Sequence, residues 1–301
     1  MAEALPTISA TVIWQVAGRK HELISASRRV LELGSTVLVC GAQFQSAAGE
    51  PEPLRWQVET ALNPSELWHV RGPTGEILGA CASAADAIRT VEYAALQQLF
   101  AADSSVTTLH AALLSQGRGG ILIVGPAESG KSTLATALWL AGFSFHGDDI
   151  ALMDPDGGGL SAAPRRVSLR QPSRRLLGDE LWQRLAATPS FMPTSEGCLF
   201  HPHELAGQSL PGGSLEPSLI LFLARRGVEL GAAELRPLSP AELLVALAPY
   251  SNVVRTTGME AALRRLQPLA ERAPAYDLGR GPLPSMLAAI SALLPPEPPR
   301  S

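Results

Sequence analysis

Eight residues in the middle of the chain, GPAESGKS at positions 125–132, constrain the fold more than any other feature of the sequence. They stand between an apolar run, ILIV, and a run with no glycine or proline, TLATALWLA. The apolar run suits a strand, and the run that follows suits a helix. A strand that turns through glycine directly into a helix is the building unit of an α/β sheet. The turn also has a chemical meaning. Gly125 and Gly130 permit positive φ and close approach, so the backbone from Gly125 through Pro126, Ala127, Glu128, Ser129 and Gly130 to Thr133 can curl around a phosphate. The helix behind it aims its dipole and unpaired amides at the same anion. Lys131 adds a mobile positive charge for the β- and γ-phosphates, and the small hydroxyl of Ser132 can ligand a cation. The full GxxxxGK[ST] spacing in this strand-to-helix context implies a nucleoside triphosphate, ATP with Mg2+ (magnesium). No motif separates adenine from guanine.

The remaining composition narrows the partners. A formal charge of -4 over 301 residues, with no Lys/Arg-rich block, speaks against a nucleic-acid or anionic-membrane surface. Lys20 and Lys131 are the two lysines of the chain, and one of them sits in the glycine loop. Cys40, Cys81 and Cys198 are odd in number and widely spaced, which implies thiols rather than disulfides or a zinc site. The first residues lack a basic start followed by an apolar stretch, and no run of ~18 apolar residues occurs, so a cytoplasmic location without a membrane span is expected.

Along the chain, short apolar runs at 8–16, 35–40, 66–70 and 76–81 alternate with turn-rich pieces and read as small strands. Residues 83–101 carry apolar positions at helical spacing behind Ser83, an N-cap candidate. From 107 onward strand-like and helical segments alternate: LHAALL, GGILIVG, the helix after Lys131, FSFHGDDIALMD, SLILFLA, helices near 240–248 and 259–271, AYDLG, and a last helix at 284–294. PRRVSLRQPSRRLL between them reads as a strand mixed with a loop. The expected architecture is a small N-terminal α+β domain over 1–103, an α/β core over 104–295, and a frayed Pro-rich tail over 296–301.

Three further groups carry chemistry. Asp148 and Asp149 follow the helix behind the loop, where a carboxylate can serve a metal-bound nucleotide. Neighbours on an extended segment point to opposite faces, so a backbone turn there would let one bind metal and the other take a proton. Asp154 and Asp156 in DPDGGG read as turn residues. His110, beside an apolar run, reads as a core histidine or a site residue, whereas His146, His201 and His203 lack metal-ligand spacing and CLFHPH reads as a surface loop. Arg165, Arg166, Arg170, Arg174 and Arg175 cluster after the acidic segment. An arginine there can stabilise a transferring phosphoryl group or attract an acidic peptide, and Arg170 is the favoured candidate.

LHAALL, ILIVGPAESGKST and HGDDIALMD follow one another with the spacing of the HPr kinase/phosphorylase family, and this stretch resembles that family and the looser group of kinases related to it. The likeness covers roughly 107–175 and, more faintly, AYDLGRGPLPSMLAAI. It implies an α/β P-loop kinase core of the HPr kinase / phosphoenolpyruvate carboxykinase type with a smaller N-terminal α+β domain. It also implies that His110 assists the acidic pair, and that Asp148 and Asp149 share the roles of metal ligand and general base. The family's long C-terminal signature for the phosphorylase reaction has no counterpart here. The first hundred residues look like the small domain of related kinases found beside peptide-modification genes, some of which phosphorylate a serine on a ribosomally made precursor. The resulting expectation is an ATP-dependent serine kinase acting on a peptide or small protein, with a homo-oligomer compatible with that reading. A small-molecule kinase and a nucleotide-binding module without transfer share the same motifs.

Overall fold

A computed structural model describes residues 10–16, 19–37, 52–59, 67–102, 107–155, 158–163, 165–206, 213–223 and 233–294. Cys40, Asp156 and the Pro-rich tail lie outside the described residues. The chain divides into two compact units, Met1–Ala102 with Ala187–Leu199, and Asp103–Ala186 with Phe200–Ser301. The segment Ala187–Leu199 groups with the first unit.

In the first unit β1 (Ala10–Val16), β2 (Arg19–Ser25), β3 (Leu54–Glu59), β4 (Trp68–Arg71) and β5 (Ile77–Cys81) form one sheet in that spatial order. Only β2 and β3 run parallel, and α1 (Arg28–Val37) makes the crossover between them. Alternation places Leu23, Trp56, Val58 and Val70 in the core, while Glu22 with Arg55 and Glu59 with Arg71 pair on the other face. The indole of buried Trp56 donates to His21 Nδ1 at 3.1 Å. Residues 35–37, expected to begin a strand, instead close α1. In α2 (Ala84–Ala102) the Ser83 hydroxyl accepts from the Asp86 amide at 3.1 Å, which is the expected cap. The short strands β13 (Met192–Pro193) and β14 (Gly197–Phe200) pair as a hairpin.

The second unit begins with β6 (Thr107–Leu109), β7 (Ala111–Gln116), β8 (Gly119–Val124), α3 (Lys131–Leu140), β9 (Ser144–Gly147), β10 (Ala151–Met153), β11 (Leu160–Ala162), β12 (Val167–Arg170), α4 (Gln171–Leu177) and α5 (Asp179–Ala186). It resumes with α6 (Pro202–Ala206), β15 (Glu216–Leu223), β16 (Leu235–Leu238), α7 (Pro240–Leu247), α8 (Asn252–Thr257), α9 (Met259–Arg272), β17 (Ala275–Leu278) and α10 (Leu283–Ser291). Six strands make the main sheet in the order β16-β17-β15-β8-β7-β9, with β17, β15 and β8 parallel. A second sheet, β11-β10-β6, and helices α7, α8 and α9 cover one face through Leu113, Leu122, Val124, Met153, Leu247 and Leu266. By strand alternation Leu114, Ile121 and Ile123 face the other way, where α3 packs. Both faces of β8 are thus dry, which is why its sequence lacks alternation.

Two expectations are corrected. The Arg-rich stretch expected to end in a loop continues as the helix α4, for which Pro172 in the first turn fixes a helical φ. CLFHPH is no surface loop: Cys198, Leu199 and Phe200 are buried and His201 is 1% exposed. Burial lifts the Cys198 thiol to about 12, and burial with Arg166 and His203 nearby lowers His201 to about 3. Among the described residues no helix is long and apolar enough to cross a membrane.

Candidate functional site

The parallel strands β8 and β15 end at the glycine loop, and β17, paired with β15, ends beside them. Gly125 and Gly130 do different work there. A Cβ on Gly125 would lie 2.9 Å from the Leu223 carbonyl at the end of β15 and 3.0 Å from Ser129 Oγ, so glycine is needed for close approach. A Cβ on Gly130 would meet nothing, but its φ of 99° is left-handed and opens α3. Glu128 is left-handed as well, with φ 62°.

Lys131 starts α3 and is 5% exposed. Its ammonium donates to the carbonyls of Gly125 at 2.9 Å and Pro126 at 3.1 Å, folding back across the loop. The Ser129 amide donates to the same Pro126 carbonyl at 3.2 Å. Burial lowers the Lys131 pKa, opposed by the charges of Asp149 and Asp148. An anion that drew the ammonium outward would restore part of its lost solvation.

The two aspartates sit at the end of β9 in contrasting surroundings. The Ile150 amide bonds the Asp148 carbonyl at 2.9 Å, an i to i+2 turn centred on Asp149, whose φ is 71°. A non-glycine residue in this region is held there against its own preference. The turn separates the two side chains. Asp148 is 1% exposed, its Oδ2 accepts from the Ser168 amide at 3.4 Å, and its buried Oδ1 has no hydrogen-bond partner. Burial and the neighbouring Asp149 charge raise its pKa to about 6, against the Ser132 hydroxyl, the Ser168 amide and Arg165. Asp149 is 35% exposed and held at both oxygens, by His110 Nε2 at 3.1 Å and Arg165 Nη1 at 3.0 Å. Burial would raise its pKa, but His110, Arg165 and Lys131 together hold it well below the usual carboxylate range.

His110 interrupts the expected strand LHAALL between β6 and β7, and its amide donates to the Tyr250 carbonyl at 2.8 Å. Its imidazole is 45% exposed and lies on Asp149. Arg170, at the end of β12, pairs with Glu128 of the loop at 2.6 Å, and Thr133 meets Ser173 of α4 at 2.7 Å. The structure therefore brings His110, Lys131, Ser132, Asp148, Asp149 and Arg170 to one end of the main sheet. It adds Arg165, one of the clustered arginines other than the favoured Arg170, and Arg280, which sequence reasoning did not place in the site. Arg165 holds Asp149 from a position 16 residues away, and Arg280 donates to the carbonyls of Glu128 at 3.2 Å and Ser129 at 2.8 Å. Nothing local to Arg280 marks it, because β17 alone carries it to the loop. Asp154 accepts from Ser214 at 3.1 Å, away from this group.

The residues fit a hard cation shared with phosphate. Ser132 offers a hydroxyl and Asp148 a buried oxygen with no partner, both beside the amide-lined loop. Among the described residues no group of three or more His, Cys, Asp or Glu side chains could hold a metal alone. Magnesium usually takes one or two carboxylates and completes its shell with phosphate oxygens and water. Two clefts, about 410 Å³ beside Ser115 and His146 and about 570 Å³ beside Arg174 and Arg175, lie off the loop. A nest of backbone amides grips phosphate without needing an enclosed cavity.

No family model and no curated protein matches this sequence. Among solved structures the chain is similar to the Hpr(Ser) kinase/phosphatase from Coxiella burnetii, at 16% identity over 62% of this chain and 87% of that chain, with a TM-score of 0.32. That is a distant likeness and assigns no chemistry to these residues.

Proposed function

We propose that the chain is a kinase that transfers the γ-phosphoryl group of ATP to a hydroxyl, that of a serine in a peptide or small protein. The observation that carries this reading is the split acidic pair. One carboxylate is buried against Ser132 with an oxygen to spare, and the other is half exposed and held by His110 and Arg165.

The glycine loop binds the β- and γ-phosphates through its amides, and Lys131 leaves the Gly125 and Pro126 carbonyls to meet them. Ser132 and Asp148 would hold magnesium, which would supply neutralising charge to the phosphate oxygens. Asp149 orients the acceptor hydroxyl and receives its proton as the new bond to phosphorus forms and the bond to ADP breaks. A carboxylate this acidic is a weak base, so the proton passes late, when the attacking oxygen is already bonded to phosphorus. His110 and Arg165 keep both Asp149 oxygens from swinging. Arg170 can exchange Glu128 for the transferring phosphoryl group. Support for a peptide acceptor comes from α4, where Arg174 and Arg175 line the cleft of about 570 Å³.

The test is mass spectrometry of serine-bearing acidic peptides, and of free serine, after incubation with the protein and magnesium–ATP. A gain of one phosphoryl group on a peptide serine, lost in D149N, is expected. Transfer to free serine alone would replace the peptide reading with a small-molecule kinase. Nucleotide binding without transfer to any acceptor, unaltered in D148N and D149N, would leave only a binding module.

A further inference from the structure

A role for Arg280 in nucleotide binding rests on the kinase reading above. Arg280 lies just past the end of β17, and its Nη2 donates to two successive carbonyls of the glycine loop, Glu128 O at 3.2 Å and Ser129 O at 2.8 Å. In a trans peptide the C=O and the following N–H point in opposite directions. Drawing the Glu128 and Ser129 carbonyls toward Arg280 therefore turns the amides of Ser129 and Gly130 away from it. The Ser129 amide points across the loop to the Pro126 carbonyl at 3.2 Å, toward the side where the Lys131 ammonium also lies. The Ser129 amide is engaged by that carbonyl, so the Gly130 amide is the donor this arrangement offers to a phosphate.

The residues flanking Ser129 are the ones whose peptides would otherwise turn over. Glu128 at φ 62° is a non-glycine residue in the left-handed region, and Gly130 at φ 99° has no side chain to oppose rotation. The loop thus holds its amide-inward form at a place where local preference does not favour it. A guanidinium gripping both carbonyls from behind supplies the missing restraint. Arg170 holds the same residue from its side chain, bonding the Glu128 carboxylate at 2.6 Å. If Arg170 leaves Glu128 when nucleotide binds, Arg280 remains as the backbone restraint.

We propose that Arg280 is a positioning residue that clamps the outer side of the glycine loop and presets the Gly130 amide for the phosphates of a magnesium nucleotide. It acts on the phosphates through the loop backbone and does not touch them. Preset donors need no rearrangement when the anion arrives, so the residue contributes to affinity.

The full chain, isotopically labelled, would be titrated with magnesium–ADP as wild type, R280A and R280K, following heat and amide resonances. Charge-assisted bonds to two carbonyls lead us to expect about tenfold weaker binding in R280A, with R280K between it and wild type. The Gly130 amide resonance of ligand-free R280A should move or broaden, a signature that loss of general stability would not give. Wild-type affinity in R280A with an unmoved Gly130 amide would overturn the proposal. If R280A does not fold, R280K carries the same comparison against wild type. Absence of magnesium–ADP binding in wild type would remove the nucleotide reading instead, while the ligand-free Gly130 resonance would still decide whether Arg280 shapes the loop.

Discussion

Asp148 and Asp149 are covalent neighbours whose carboxyl groups are pushed in opposite directions. At Asp148 the folded pKa is raised from 3.8 to about 6, so between those values the native state binds more protons than the unfolded chain. Stability from this group is therefore present below about pH 4 and lost as pH rises through about 6. Asp148→Asn is expected to raise the melting temperature of the nucleotide-free protein at pH 7.5 by several degrees, with the gain over wild type vanishing near pH 4, and to abolish transfer. A lower melting temperature at pH 7.5 would show that Asp148 is not a strained carboxylate. Lys131→Ala should lower the transfer rate by on the order of 10²-fold or more, read as initial velocity at saturating acceptor. That Gly125, Gly130, Lys131 and Ser132 come together in one strand-to-helix turn was legible because the motif is local and its spacing alone shapes the turn. That the two aspartates point apart was legible too, but not which of them is buried. The difference comes from burial under β12 and from Arg165, and distant contacts leave no mark in a two-residue motif.

The elements that carry these residues depend on a few backbone constraints. Gly147 ends β9 just before the acidic pair, and a Cβ there would lie 2.5 Å from the Ala162 side chain and 3.2 Å from the Ala163 carbonyl. Gly147→Ala must push β9 from the residues ending β11, displacing Asp148. The expected outcome is destabilisation of about 1–3 kcal/mol in urea unfolding, together with loss of transfer. At α7 the Ser239 hydroxyl and the Glu242 carboxylate form a reciprocal capping box ahead of Pro240. Ser239→Ala should cost about 1 kcal/mol in the same experiment without changing nucleotide affinity. The capping box needs four residues and is visible in PLSPAELL. Residues 35–37 read as strand on sequence for the opposite reason: Thr36 and Val37 favour strands taken alone, but α1 buries Val30 and Gly34. Likewise the break at His110 reflects its amide bonding the Tyr250 carbonyl, a contact made 140 residues away.

At the scale of the whole molecule the glycine loop, the acidic pair, Arg165 and Arg280 all belong to one unit, and Ala187–Leu199 returns to the other. No composition change at 187–199 announces that return, which is why the sequence suggested a single boundary near residue 103. A ligand that binds one unit stabilises that unit by mass action. Scanning calorimetry with excess magnesium–ADP is thus expected to raise the transition of the second unit and leave that of Met1–Ala102 in place. Equal shifts in both would mean the two unfold as one body. The account as a whole depends on backbone amides and one buried ammonium forming a receptor for polyphosphate. Titration calorimetry of wild type and K131A with magnesium–ATP tests this most directly: the account predicts saturable one-site heat in wild type and affinity at least about tenfold weaker in K131A. No saturable heat with wild type, or the same affinity in both proteins, would contradict it.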